Sequence, residues 1–140
     1  GMADRCARCG GCIASCPERI ITTADCGFRT IDYTTGSGTC TFCGLCAEAC
    51  SQDVFDLSQT PVWLMKASIS REVCLAEAGV HCECCRDICD PGAIRFRPRL
   101  GGPPGPVVTL DACTGCGACL AVCPKNALSV SPAHQTEAAA

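Results

Sequence analysis

The stretch CARCGGCIASCP, residues 6–17, contains four cysteines at the spacing C-x2-C-x2-C-x3-C. The same spacing occurs in CTFCGLCAEACS, residues 40–51, and in CTGCGACLAVCP, residues 113–124. Three thiolates within seven residues can converge on one compact group only if the backbone between them turns tightly. Glycine permits such turns, and all three loops contain it. The repeated run therefore predicts three copies of one local fold, each built around sulfur ligands.

A fourth, altered copy lies in CLAEAGVHCECCRDICDP, residues 74–91. Cys82, Cys85 and Cys89 match the last three cysteines of the run, but Gly79 stands where the first would fall. We expect Cys74 to supply the missing ligand, because the entropic cost of closing a longer loop grows only slowly with its length. Cys84 remains the alternative, although it aligns with positions that are not cysteine in the other three copies.

Runs of this type hold [4Fe–4S] clusters, with three cysteines on one cluster and the fourth on the other cluster of a pair. Sixteen of the 18 cysteines then become ligands, and Cys26 and Cys84 remain. The sequence predicts four clusters with crossed ligation inside each half of the chain. The predicted sets are Cys6, Cys9, Cys12 and Cys50; Cys16, Cys40, Cys43 and Cys46; Cys74, Cys82, Cys85 and Cys123; and Cys89, Cys113, Cys116 and Cys119.

The composition agrees with a fold stabilised by metal. Aromatic residues make up only 4% of the 140 residues, so a conventional apolar core would be thin. Such a high cysteine content would also suit a disulfide scaffold, but the chain opens without the apolar stretch of a secretory signal. Zinc is disfavoured, since its sites use four ligands in two separated pairs. The sequence therefore predicts a cytoplasmic protein with reduced thiols.

The segments after the cysteine runs predict short strands. Residues 20–23 are expected to pair with 28–32, and residues 94–97 with 107–110. The segment GGPPGP, residues 101–106, is expected to be a loop because glycine and proline break regular structure. Each half then has a run, a hairpin, a second run and a short terminal strand.

This organisation predicts an α+β fold, a tandem pair of bacterial two-[4Fe–4S] ferredoxin-like modules with short hairpins and short helices. The modules are expected at residues 1–57 and 74–130. Residues 58–73 would connect them, and residues 131–140 would form a flexible tail.

The residue types present favour electron transport over catalysis. The chain has no G-x-G-x-x-G segment and no arrangement of acid, base and nucleophile that indicates an active site. Its formal net charge of −3 disfavours nucleic acid as a partner, and no apolar run is long enough to cross a membrane. We therefore predict an iron–sulfur protein that is not an enzyme.

The chain also resembles the NapF-type ferredoxins of periplasmic nitrate reductase systems. The resemblance is densest in residues 74–89, with the long spacing after Cys74, and continues in AIRFRP, residues 93–98, and DACTGCGAC, residues 111–119. It implies a cytoplasmic accessory or maturation protein that meets the catalytic subunit of a molybdenum nitrate reductase before export. The alternative is an electron-transfer subunit or soluble electron carrier of another anaerobic oxidoreductase, for which the four-cluster arrangement alone would suffice.

Overall fold

The computed structural model describes residues 5–52, 54–55, 58 and 65–133. The chain forms two compact units, Gly1–Trp63 and Leu64–Ala140. Within the described residues, no helix is long and apolar enough to cross a membrane.

The described part of the first unit includes two one-turn helices and a hairpin. Helix α1 spans Gly11–Ser15 and helix α2 spans Leu45–Glu48. Between them, strand β1, Ile21–Thr23, pairs antiparallel with strand β2, Arg29–Ile31. The predicted hairpin is confirmed, and bonds from Asp32 N to Ile20 O and from Ala24 N to Phe28 O extend it at both ends.

The second unit has the same run–hairpin–run order and, within its described residues, two further strands. The elements are β3, Met65–Ile69; α3, Cys84–Asp87; β4, Ile94–Arg99; β5, Gly102–Val108; α4, Ala118–Val122; and β6, Leu128–Pro132. Strands β4 and β5 form an antiparallel hairpin with Ile94 opposite Val108. Strands β3 and β6 form a second antiparallel pair, with Ile69 opposite Leu128. Short helices and small antiparallel sheets confirm the predicted α+β class.

The predicted loop over residues 101–106 is wrong. Residues 102–106 belong to β5, and the hairpin turns at Leu100 and Gly101, whose φ is 76°. Proline lacks an N–H group, so it is tolerated in a strand where that N–H would point away from the partner. A two-stranded hairpin has such an outer edge on both strands. The proline-rich sequence was therefore compatible with a strand.

The predicted connecting segment also differs from the structure in part. Residues 65–69 form β3 of the second unit. At the other end, Ser131 and Pro132 belong to β6 rather than to the predicted tail. Residues 59–64 and 134–140, which complete those two predicted segments, lie outside the described residues.

The apolar residues after each run form the core next to the cysteines. Three pairs that follow a fourth cysteine at the same offset are buried: Ile20–Ile21, Ala93–Ile94 and Ala127–Leu128. The corresponding pair of the second run, Val54 and Phe55, is half-buried. In the second unit the core includes the side chains of Cys113 and Cys119. The core of the second unit therefore packs directly against candidate ligands.

Candidate metal centres

The three regular runs share one backbone geometry around their second cysteine. The residue before that cysteine and the residue after it both have left-handed φ angles, so the chain turns twice within three residues. The φ values are 57° and 82° at Arg8 and Gly10, 56° and 81° at Phe42 and Gly44, and 74° and 87° at Gly115 and Gly117. The second of each pair precedes the helix that carries the third cysteine. Glycine recurs there because it adopts this conformation without a Cβ clash.

The altered run takes a different path. Glu83 stands in place of the glycine and has a φ of −132°. The altered run lacks the left-handed turn after its second cysteine, and the chain turns upstream instead. There, Ala78 N donates to Cys74 O at 3.0 Å and Val80 N donates to Leu75 O at 2.9 Å. The longer spacing is therefore a folded turn that starts at Cys74.

Arg99, at the end of β4, holds this turn in place. Its Nη2 donates to the carbonyl oxygen of Ala76 at 2.9 Å, and its Nη1 pairs with the Glu77 carboxylate. Gly105 on the facing strand makes room for the guanidinium, since an added Cβ there would lie 2.7 Å from Arg99 Nε. The β4–β5 hairpin and the Cys74 turn are thereby joined.

The four thiols of the second predicted set line one cavity of the first unit. Ile20, Ile21 and Phe42 contribute to its walls beside the cysteines. Burial raises the pKa of Cys40 to about 11, and the neighbouring Cys46, Cys16 and Cys43 thiols raise it as well. Cys16, from the first run, is thus near the three cysteines of the second run.

The second unit has the same crossed arrangement twice. Burial raises the pKa of Cys85 to about 11, and the charges of Cys74, Cys123 and Cys82 act in the same direction. Burial likewise raises the pKa of Cys119 to about 12, with further contributions from Cys116, Cys113 and Cys89. In each group one thiol comes from the other run of the unit.

The first predicted set is less enclosed. Burial raises the pKa of Cys12, the Cys6 thiol adds to the increase, and the positive charge of Arg29 opposes it. Cys9 is exposed. An added Cβ on Gly11 would lie 3.1 Å from the carbonyl oxygen of Ala49, the residue before Cys50. The first run therefore packs against the chain immediately preceding its predicted fourth ligand.

Backbone N–H groups donate hydrogen bonds to three of the candidate sulfur ligands. Phe42 N lies 3.3 Å from Cys40 Sγ, Ala127 N lies 3.3 Å from Cys123 Sγ, and Ala67 N lies 3.4 Å from Cys113 Sγ. Such bonds stabilise negative charge on sulfur and help to set the reduction potential of an iron–sulfur centre.

Sequence reasoning missed the contribution of β3 to the last of these sites. Besides the Ala67 N–H, the Lys66 ammonium donates to the carbonyl oxygen of Cys113 at 2.7 Å. The only available signal was the short polar–apolar alternation of residues 65–69, which has no turn residues beside it to indicate a hairpin.

The two cysteines outside the predicted sets are exposed. Cys26 lies in the β1–β2 turn. Cys84 lies on α3, with its Sγ 3.9 Å from Cys82 Sγ, and the hydrogen bond and charge of Cys82 raise the pKa of Cys84. It is Cys74, and not Cys84, whose charge acts on the half-buried Cys85 thiol.

These donors fit an iron–sulfur cluster. Each group contains only sulfur, and soft thiolates are the ligands that iron–sulfur clusters use. Among the residues described here, no three His, Cys, Asp or Glu side chains are arranged to hold a single metal ion. The tight loops, the N–H donors at sulfur and the apolar walls match the requirements of a [4Fe–4S] cube.

Comparison with known protein families defines the class first. A family described as a 4Fe-4S dicluster domain matches residues 80–127, and 4Fe-4S binding domains match residues 3–27 and 40–54. The chain is thus composed of 4Fe-4S ferredoxin-type domains, as the repeated runs predicted.

Individual relatives then define the family. The chain is 36% identical to the ferredoxin-type protein NapF of Escherichia coli K12 over 129 residues, which cover 92% of the chain and 77% of that protein. It is 41% identical to NapF of Haemophilus influenzae over 133 residues, covering 95% and 74%. The ferredoxin-type protein NapG of E. coli is 28% identical over 87% of the chain and 61% of its own length. The chain belongs to the NapF family of ferredoxin-type proteins, which confirms the resemblance drawn from its sequence.

Proposed function

We propose that the chain binds four [4Fe–4S] clusters in the crossed sets derived above, two in each unit. The main support for the proposal comes from the surroundings of Cys85, because the charges of Cys74, Cys82 and Cys123 act on its thiol. These are the other three members of one predicted set, and they come from three separate segments of the unit. All eight ligands assigned to each half also lie within one compact unit.

A bound [4Fe–4S] cluster accepts and releases one electron at a time. The protein groups around each site serve that chemistry. The thiolates hold iron, the N–H donors stabilise the negative charge on sulfur, and pairs such as Ala93–Ile94 limit the access of water. With these parts the chain would conduct electrons or carry clusters and leave substrate chemistry to a partner.

The partner we propose is the catalytic subunit of a periplasmic molybdenum nitrate reductase, bound in the cytoplasm before its export. Membership of the NapF family supports this proposal. The chain would act there as an accessory or maturation protein that supports cluster loading or electron supply.

Co-purification tests this role. The tagged holoprotein is expressed with two forms of the nitrate reductase catalytic subunit, one that still carries its export signal and lacks its cofactors and one that is mature. Retention of the first form and release of the second is expected. Equal retention of both forms, or of neither, contradicts an accessory role before export.

The alternative function is a soluble electron carrier or an electron-transfer subunit of another anaerobic oxidoreductase. The presence of four candidate cluster sites in two units favours it. Stopped-flow mixing of the reduced holoprotein with a flavin or membrane-bound redox partner would distinguish the two functions. Electron exchange faster than turnover of that partner, without retention of the unexported subunit, would support the carrier.

A further inference from the structure

A buried nitrogen of Arg29 lacks a hydrogen-bond partner in the first unit. Within the part of the chain that the structure describes, Arg29 Nε is a buried side-chain atom with no acceptor. The other two nitrogens of this guanidinium are engaged. Nη1 donates to the Thr23 hydroxyl across the hairpin, and Nη2 donates to the carbonyl oxygen of Arg8 at 2.6 Å. An unsatisfied buried donor is costly, so this one calls for an explanation.

The guanidinium lies against the loop of the first cysteine run. Arg8, which accepts its hydrogen bond, is one of the two left-handed residues that flank Cys9. An added Cβ on Gly10, the other of these two residues, would be 3.8 Å from Arg29 Nη2. The Arg29 charge also acts on the Cys12 thiol. The positive charge is therefore fixed beside the first cluster site by two hydrogen bonds.

The described residues that line the cavity at the second site of this unit provide no comparable cation. The residues lining that cavity, all of them described, include no lysine or arginine.

The corresponding hairpin position of the second unit also differs. In the first hairpin, the Thr23–Arg29 pair lies two residues along from the Ile21–Ile31 pair. In the second hairpin, the pair at the same distance from Ile94–Val108 is Phe96–Pro106. The second hairpin therefore presents no arginine at that position.

We propose that Arg29 raises the reduction potential of the cluster held by the first run above that of the second cluster in the same unit. The inference rests on the proposed function, since the first run must hold a cluster. One-electron reduction makes a cluster more negative, and a fixed cation stabilises the reduced form more than the oxidised form. The Nε–H, which has no acceptor among the described residues, is the donor that this guanidinium would offer to a sulfur at that site. A single electron entering the first unit then resides on the first cluster.

The test is an EPR-monitored redox titration of the intact holoprotein, with iron and sulfide content measured on each sample. Three variants are compared with the wild type: Arg29→Gln, which removes the charge; Arg29→Lys, which keeps it; and Arg97→Gln, which removes an exposed arginine from β4. The signal of the first cluster is identified as the one lost in Cys9→Ser.

Arg29→Gln is expected to lower the ratio of reduced to oxidised first cluster at least tenfold at a fixed potential, which corresponds to about 59 mV for one electron. Arg29→Lys should retain most of the wild-type ratio, and Arg97→Gln should match the wild type at every signal. Iron content should be equal in the four proteins.

Two results would overturn the inference while leaving cluster binding intact. The first is full iron content in Arg29→Gln with every potential unchanged. The second is loss of the first cluster from both Arg29 variants, which would assign the guanidinium a purely structural role in joining the hairpin to Arg8. A wild-type chain without iron at the first run would instead overturn the proposed function, and this inference with it.

Discussion

The backbone N–H of Ala67 donates a hydrogen bond to Sγ of Cys113, with 3.4 Å between the nitrogen and the sulfur. The two residues are 46 positions apart, and Ala67 precedes every cysteine of its unit. Strand β3 therefore forms part of the wall of the proposed fourth cluster site. We expect changes that displace β3 to alter that site even though β3 contains no ligand.

Gly115 offers the most direct way to displace this strand. Its φ is +74°, and an added Cβ would lie 2.4 Å from the carbonyl oxygen of Met65. Gly115→Ala should lower the free energy of unfolding of the second unit by at least about 1–3 kcal/mol, the cost of a strained backbone, with the clash added to it. Guanidinium titration of the holoprotein, followed by cluster absorbance, measures this change.

Gly102→Ala is the matched control, because nothing lies within 4 Å of the added Cβ and its φ is outside the left-handed region. Its effect should stay within about 0.5 kcal/mol. Equal stability of the two variants would contradict the packing of β3 against the run at residues 113–124.

Replacing Cys74 and Cys84 by serine, one at a time, identifies the missing ligand of the altered run. The Cys74 charge acts on the half-buried Cys85 thiol, whereas Cys84 is exposed. Cys74→Ser should therefore reduce the iron content by about four atoms per chain, the content of one cube, and Cys84→Ser should leave it unchanged. Iron and sulfide analysis of anaerobically purified protein measures both. The opposite pattern would assign the ligand to Cys84.

Crossed ligation predicts which cluster depends on Cys16. Because Cys16 lines the cavity with Cys40, Cys43 and Cys46, Cys16→Ser should deplete the cluster of the second run more than that of the first. Cys50→Ala should have the reverse effect. EPR of the reduced variants distinguishes the two clusters, with Cys26→Ser as the exposed-thiol control. Loss of the first cluster alone in Cys16→Ser would argue for uncrossed sets.

Iron retention should increase with pH. Burial, together with neighbouring thiols, raises the pKa of Cys40 and Cys85 to about 11 and that of Cys119 to about 12, so protons compete with iron at neutral pH. Iron retained against a chelator, corrected for the chelator's own titration, should rise between about pH 6 and pH 9. Retention that is constant or falls over this range would contradict the assignment of these thiols as ligands.

The same raised pKa values affect the metal-free fold in the opposite direction. A folded chain that keeps its thiols protonated gains stability that is fully present below the ordinary pKa of 9.0. This contribution is lost as the pH rises through 11 to 12, so the metal-free chain should become less stable in alkaline solution.

The sequence predicted the local parts of these sites because their determinants are local. The spacing of cysteines and the glycine after the second one specify the loop, as the left-handed Gly10, Gly44 and Gly117 show. The long spacing after Cys74 was likewise interpreted as a longer loop that could bring a thiol back to the site.

Features that depend on residues far apart in the sequence could not be predicted from it. Strand β3 is defined by pairing Met65 with Pro132, far along the chain, and no periodicity within residues 65–69 reveals that partner. Strand β5 was not predicted because it contains prolines. A strand accepts proline at the edge of a two-stranded hairpin, where the missing N–H would not face the partner strand. The proposed role of Arg29 follows only from the backbone and side-chain groups that surround its guanidinium.

Iron, sulfide and zinc content, measured on protein purified without oxygen and combined with EPR after dithionite reduction, tests the central claim most directly. Four cubes predict about sixteen irons per chain and interacting signals from reduced [4Fe–4S] clusters. Zinc without iron after anaerobic purification would contradict the account, and so would an iron content of about eight with one unit free of clusters.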